Sequence, residues 1–177
     1  MKLNQVMMKK LIVVVAALMI ASCQQQQKIG YVDNVKLMED YQEKVDFDDR
    51  FKIKDEAMVK KRDSISQAYQ FEAQAFQIKA QKMAQAKAQE EYNAIQQRAQ
   101  QMGQLLQQEE QVLRAAGQVE LDSIVSVVKR EIKAYGKTNG YAYILGGGEG
   151  GSVLYGKEVN DLTDEVVKIL NDKYSKE

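Results

Sequence analysis

The fold is decided by residues 48–137, close to half of the chain, whose middle part, residues 66–102, reads SQAYQFEAQAFQIKAQKMAQAKAQEEYNAIQQRAQQM. The stretch contains no proline, and Gln, Ala, Glu and Lys dominate it. These residues lose little side-chain freedom in a helix, so the composition predicts helix throughout. Apolar residues recur singly at helical spacing, which leaves only one narrow stripe for burial.

A single helix of this length is unusual, because helices of globular proteins average about 11 to 12 residues. The sequence therefore predicts a long antiparallel hairpin of helices, a coiled-coil arm that occupies residues 48–120. Its reversal is placed near residues 83–88 (MAQAKA), where apolar periodicity is weakest. Each half of about 40 to 50 residues then extends roughly 60 to 75 Å.

The remaining segments predict a small body of strands and helices, built from residues 28–47 and 121–177. Residues 28–32 (KIGYV) read as a strand, and Asp33-Asn34 follows as a helix cap. Residues 141–145 (YAYIL) and 152–155 (SVLY) flank a glycine-rich loop and predict a β-hairpin. Asp161 or Thr163 is predicted to cap a last helix. The predicted fold class is α+β.

The glycine-rich loop also satisfies a nucleotide-binding pattern, since Gly146, Gly148 and Gly151 match G-x-G-x-x-G. A dinucleotide site requires a helix immediately after the loop and a βαβ unit around it. Here a second strand is predicted to follow. The loop is therefore interpreted as the tip of a hairpin, and no cofactor is expected.

The first 22 residues read as a secretory signal. Basic residues precede the apolar run LIVVVAALMI at residues 11–20, which is too short to span a bilayer. The run ends in Ile20-Ala21-Ser22-Cys23, which resembles the lipobox of bacterial lipoproteins; that resemblance implies cleavage before Cys23 and acylation of its thiol. An ordinary signal with an incidental cysteine, or a buried thiol, remains open. Residues 23–27 then form a lipidated tether. The start codon also stays open among Met1, Met7 and Met8.

Composition argues against several classes of function. Lys plus Arg and Asp plus Glu both number 25, and this balance argues against nucleic acid as a partner. Without residues 1–22, 22 basic and 25 acidic residues remain, a net charge of −3. The chain has no histidine and a single cysteine, so it offers no imidazole base, and no EF-hand spacing exists. The sequence predicts neither an enzyme nor a metal site.

The order of these features resembles the Skp (OmpH-like) family of periplasmic chaperones over essentially the whole mature chain. The two ends carry the resemblance: residues 28–33 (KIGYVD) are similar to the opening strand, and residues 139–145 with 161–171 are similar to a closing pattern NGY…DLTDEVVKxLN. The resemblance implies a homotrimer whose helical hairpins project from a β body around a cavity. It also implies that unfolded outer-membrane proteins are held in that cavity without ATP.

On this interpretation, apolar arm residues bind the client. Met and Gln side chains among them are flexible and can repack around varied partners. A rival hypothesis is a structural adaptor or spacer of the envelope that binds one folded partner through its arms. The lipobox suggests attachment to a membrane facing the periplasm, with the outer membrane favoured over the inner, and the net charge predicts weak electrostatic attraction of clients and anionic lipid. The candidate client-binding residues are Phe51, Phe71, Phe76, Ile78, Met83, Ile95 and Met102.

Overall fold

The computed structural model describes residues 27–176 of the chain. The predicted signal, Cys23 and most of the predicted tether lie outside the described residues. The elements are, in order, strand β1 (Lys28–Asp33), helix α1 (Asn34–Asp40), helix α2 (Gln42–Ala80), helix α3 (Gln85–Thr138), strand β2 (Tyr141–Gly147), a short 3-10 helix (Glu158–Asn160) and helix α4 (Thr163–Tyr174).

Helices α2 and α3 form the long antiparallel arm. They contain 39 and 54 residues, so they extend about 58 Å and 81 Å at 1.5 Å per residue. The reversal occupies residues 81–84 and therefore begins two residues before the predicted range of 83–88. Alanine has the highest helix propensity. Because the segment AQAKA after Met83 is rich in alanine, it forms the start of helix α3, which begins at Gln85, and does not form the reversal.

The seam between α2 and α3 is thin. Half-buried positions on α2 recur every seven residues, as in a coiled coil, first through Phe51, Met58 and Ile65. Between residues 48 and 116 of the arm, only Leu106 is buried. The arm is therefore held along one line of contacts, as the sparse apolar pattern predicts.

The core lies in the body, where both ends of the chain meet the base of the arm. Val32 from β1, Leu37 from α1 and Ile124 from α3 are each 1% exposed. Helix α4 covers them with Leu162, Val166 and Leu170 from its start and its inner face. Most of the apolar burial of the described chain is thus concentrated outside the arm.

The predicted β-hairpin is wrong. Strand β2 pairs with β1 in a two-stranded parallel sheet, in which Lys28 lies opposite Tyr141 and Asp33 opposite Gly147. Residues 152–155 form no strand; Val153 makes only an isolated bridge to Gly147. The local pattern could not show that residues 141–147 pair with β1, more than a hundred residues earlier in the sequence, instead of with residues 152–155. The arm carries the chain away and back, so β2 enters the sheet in the same direction as β1.

Side chains at the end of β1 join the sheet to two helices. Asp33 Oδ1 accepts hydrogen bonds from the backbone N–H groups of Val35 and Lys36, which confirms the predicted cap of α1. The backbone N–H of Asp33 donates to Thr163 Oγ1 at 2.9 Å, and Asp161 Oδ1 accepts from the Thr163 N–H at 2.9 Å. The start of α4 is thereby fixed against the strand.

Two glycines of α3 give a matched test of the seam. A Cβ at Gly103 would meet nothing within 4 Å, whereas a Cβ at Gly117 would lie 2.4 Å from a ring carbon of Phe51. We expect Gly103→Ala to raise the free energy of unfolding by about 1 kcal/mol through helix propensity. Gly117→Ala crowds the ring at a cost of about 1 to 3 kcal/mol, so its net effect is a loss. Urea unfolding measures both, and an equal gain in the two variants would contradict the described contact.

Candidate binding surface of the arm

The seven sequence-predicted binding residues fall into three groups. Phe71 and Ile78 are each 69% exposed, as their positions off the main stripe predict. Phe76, Met83, Ile95 and Met102 are half-buried along the seam or at its reversal. The rings of Phe76 and Tyr92 approach each other across the arm, with 6.1 Å between their centres.

Phe51 lies apart from the other six, at the base of the arm. Its ring stacks on that of Phe47, with 5.8 Å between the centres, and also contacts Gly117 of α3. It packs against the core of the body. The structure therefore does not bring the seven residues together on one surface, and Phe51 contributes mainly to the packing of α2 on α3.

A second apolar line on α3 was missed by the sequence prediction. Leu105, Val112 and Val119 are 45%, 63% and 71% exposed. They are spaced seven residues apart, so they share one helix face with about 10.5 Å of rise between neighbours. We call these three residues the outer stripe. Leu105 and Val112 each stand one position before a seam residue, Leu106 and Leu113, and that offset was the available signal.

Four ion pairs connect α2 to α3 along the arm. Arg50 and Glu120 pair at 2.6 Å near the base, and Lys79 and Glu91 pair at 2.8 Å near the reversal. The hydrogen bond from Arg50 to Glu120 raises the pKa of the guanidinium. Because these side chains are largely exposed, each pair contributes little stability, and their main effect is to fix the register of the two helices. The other two pairs are Lys61 with Glu109 and Arg98 with Glu72.

The seam opens into a cleft of about 390 Å³ beside Gly103, with Met58 and Leu106 in its lining. Charged side chains line the same opening, and Arg114 donates to Glu110 Oε1 at 2.7 Å. This hydrogen bond holds the pKa of the Glu110 carboxyl below its ordinary value. The cleft marks a local gap in the contacts between the two helices, beside the buried seam residue Leu106.

The geometry of the arm offers an extended contact surface. Across residues 27–176, no group of three or more carboxylate, thiol or imidazole side chains could hold a metal ion. No helix in that part of the chain is long and apolar enough to cross a bilayer. The arm instead presents separated apolar side chains over a length of several tens of ångströms.

The sequence pattern of a family described as Outer membrane protein (OmpH-like) matches residues 28–170. The chain belongs to the OmpH-like family. The match extends from β1 through the entire arm to the middle of α4, so it includes both the body and the outer stripe. Residues 1–27 precede the match, and the predicted signal and lipid anchor of this OmpH-like chain rest only on the basic residues, the apolar run and the lipobox within them.

A solved structure also resembles this OmpH-like chain. It is described as an outer membrane chaperone (OmpH-like) from Caulobacter crescentus, and it superposes with a TM-score of 0.71 at 19% sequence identity. The likeness covers 83% of this chain and 85% of the other. At this identity it shows that the two share a fold of long helical arm and small sheet. A search of curated protein sequences finds no significant match.

Proposed function

We propose that this protein is an ATP-independent holdase that binds unfolded outer-membrane or other envelope proteins between its helical arms. Membership of the OmpH-like family supports a chaperone-like role. The observation that carries the proposal is the distribution of exposed apolar side chains: Phe71 and Ile78 on α2 and the outer stripe on α3 are separated along a rod with a thin seam. The proposal includes no catalytic step and no cofactor.

Such spacing suits an unfolded client better than a folded one. Each exposed side chain contributes about 1 kcal/mol when half of its surface is buried. An extended client chain can contact several of these sites at once, so weak contacts sum to useful affinity while each exchanges rapidly. No single deep pocket is needed, and clients of varied sequence bind. We keep the seven predicted arm residues as contributors, with Phe51 acting through the packing of the arm.

The active form that we propose is a homotrimer, with the body formed by residues 28–47 and 121–177 and the arm by residues 48–120. A two-stranded sheet is marginal by itself, and among the described residues the outer edges of β1 and β2 carry only one isolated bridge each, at Tyr31 and at Gly147. Apolar side chains are exposed around it, including Leu154 at 98% and Tyr155 at 85%. Association of three bodies covers such surface, and three arms then enclose a cavity for the client.

We further propose that the protein works in the periplasm as a lipoprotein. Residues 1–22 act as the signal, acylated Cys23 inserts in a membrane, with the outer membrane favoured, and residues 23–27 form the tether. Several acyl chains on one cysteine give stable anchoring, since a single chain binds only reversibly. Clients that emerge into the periplasm are then met close to the membrane surface.

The holdase activity is tested by diluting a β-barrel protein from urea and following its aggregation by light scattering. The wild-type protein is expected to suppress aggregation near a stoichiometric ratio. We expect the variant Leu105→Ser/Val112→Ser/Val119→Ser to need at least about fivefold more protein, because it loses about 1 kcal/mol per side chain. The matched control is Gln104→Ser/Gln111→Ser/Gln118→Ser, which has the same spacing on the same helix and is expected to act like the wild type.

Two outcomes contradict the proposal. If the wild-type protein leaves aggregation unchanged, it is not a holdase; capture of one folded envelope protein at fixed stoichiometry then identifies the adaptor. If the outer-stripe variant and the glutamine control suppress aggregation equally, the client is held elsewhere on the chain. Circular dichroism of each variant checks that the arm remains helical.

A further inference from the structure

Three lysines form a row on the part of α3 that enters the body. Lys129, Lys133 and Lys137 are each four residues apart, so they lie on one face of the helix, and all three are exposed. None of them takes part in an ion pair of the described residues. Their neighbour Glu131 is buried and binds Lys173 of α4, so it does not neutralise the row.

The row borders an aromatic cleft of about 360 Å³ between α3 and β2. Tyr141, Tyr143 and Ile144 line it together with the three lysines, and no acidic residue is among its lining. Tyr143 is 58% exposed. Lysines beside tyrosines combine positive charge with rings that have an apolar body and a polar end, which is the composition of surfaces that sit at a membrane interface.

The chain enters the body at the edge of this cleft. Lys28 Nζ lies 4.0 Å from the centre of the Tyr141 ring and donates to the carbonyl of Asn139 at 3.3 Å. Cys23 precedes Lys28 by five residues, which span at most about 18 Å when fully extended. An acyl group on Cys23 therefore holds this side of the body within about 18 Å of the membrane.

We propose that this surface, the basic face formed by Lys28, Lys129, Lys133, Lys137, Tyr141 and Tyr143, binds the anionic headgroups of the membrane that carries the anchor. The position of this face near the membrane rests on the lipidation of Cys23 in the proposed function. Its positive charge rests on the lysine row. Although the mature chain carries a net charge of −3, charges beyond about 8 to 10 Å are screened, so the local lysines determine the attraction. The binding orients the body on the bilayer.

The face can be tested without its anchor. The mature chain with Cys23→Ser is mixed with vesicles of phosphatidylcholine alone or with phosphatidylglycerol added, and binding is measured by flotation. We expect binding only to the anionic vesicles and loss on adding salt. The variant Lys129→Gln/Lys133→Gln/Lys137→Gln is expected to bind at least about tenfold more weakly. The control Lys52→Gln/Lys54→Gln/Lys60→Gln removes the same charge from exposed arm positions and is expected to keep the binding.

A fluorescent probe reports which surface meets the lipid. The sequence contains no tryptophan, so Ala142→Trp in the cleft and Ala84→Trp at the reversal each give a single emitter. Brominated phosphatidylglycerol is expected to quench the emission at position 142 and leave that at position 84 unchanged. Equal loss of binding in the two lysine variants, or quenching only at position 84, would overturn the inference.

The remaining outcomes separate this inference from the proposed function. Mass spectrometry of the wild-type protein determines whether Cys23 is acylated. A mass without acyl chains would rule out the anchor but would leave the vesicle binding of the basic face unaffected. If the body-lysine variant weakens client binding and leaves vesicle binding unchanged, the lysines serve acidic clients and the lipid inference is wrong.

Discussion

Changing Lys173 to methionine is expected to lower the free energy of unfolding by about 3 kcal/mol, more than the change of its partner Glu131 to methionine. The Glu131 side chain is only 7% exposed, whereas that of Lys173 is 58% exposed. Removing the lysine leaves a buried carboxylate with only the Arg130 guanidinium at 3.4 Å. Removing the glutamate leaves an ammonium that water can solvate. The pair therefore predicts an asymmetric response.

The same pair predicts the pH dependence of that loss. The hydrogen bond from Lys173 holds the pKa of the Glu131 carboxyl below its ordinary value of 4.5. A lowered folded-state pKa means that the paired carboxylate stabilises the fold above about pH 4.5, and that this stability is lost as the pH falls through the folded-state pKa. The deficit of Lys173→Met is thus full at neutral pH and shrinks in acid.

Urea unfolding at neutral and acidic pH measures both effects. The double variant Glu131→Met/Lys173→Met is the control, since it removes the buried charge along with its partner and is expected to recover most of the loss. Equal deficits for the two single variants, or a deficit for Lys173→Met that does not change with pH, would show that the pair is solvated in the folded state.

Changing Cys23 to serine is expected to release the protein from the membrane. In the proposed function the acyl chains on this thiol form the only stable anchor, and the basic face adds a salt-sensitive attraction. After a high-salt wash, we expect the wild-type protein to remain with the membrane fraction and the variant to appear in the periplasmic extract. Immunoblotting of the two fractions gives the distribution.

The matched control for this change is the wild-type protein itself, whose mature mass reports the acyl chains directly. A wild-type mass equal to that of the unmodified chain, or a variant that stays membrane-bound after the salt wash with its signal removed, would contradict the anchor. The first result points to an ordinary signal with an incidental cysteine.

The arm was predictable because its determinants are local. Propensity and the absence of proline specify helices, and a sparse stripe at helical spacing specifies one narrow seam, so the structure confirms an α+β fold with a long helical hairpin. The exposure of Phe71 and Ile78 followed from their offset from the stripe. The reversal lay two residues earlier than expected because alanines extend helix α3 back to Gln85.

The pairing of the strands was not predictable from local pattern. A glycine-rich loop between two β-prone segments favours a hairpin in isolation, and only the tertiary return of the arm places β2 beside β1. The charge pair of Glu131 and Lys173 was missed because the two residues are 42 positions apart in the sequence. Only the packing of α4 against α3 brings the lysine to the glutamate. The outer stripe was missed because the first apolar stripe is by itself enough to close the seam.

The central claim is that an unfolded chain is held along the outer stripe. A photo-crosslinking amino acid at Val112 tests it directly, with Lys168 on the exposed side of α4 as the body control. When a β-barrel client is diluted from urea into the protein and irradiated, the account predicts client adducts at position 112 and none at position 168. Adducts confined to position 168, or the absence of client adducts at position 112, would contradict it.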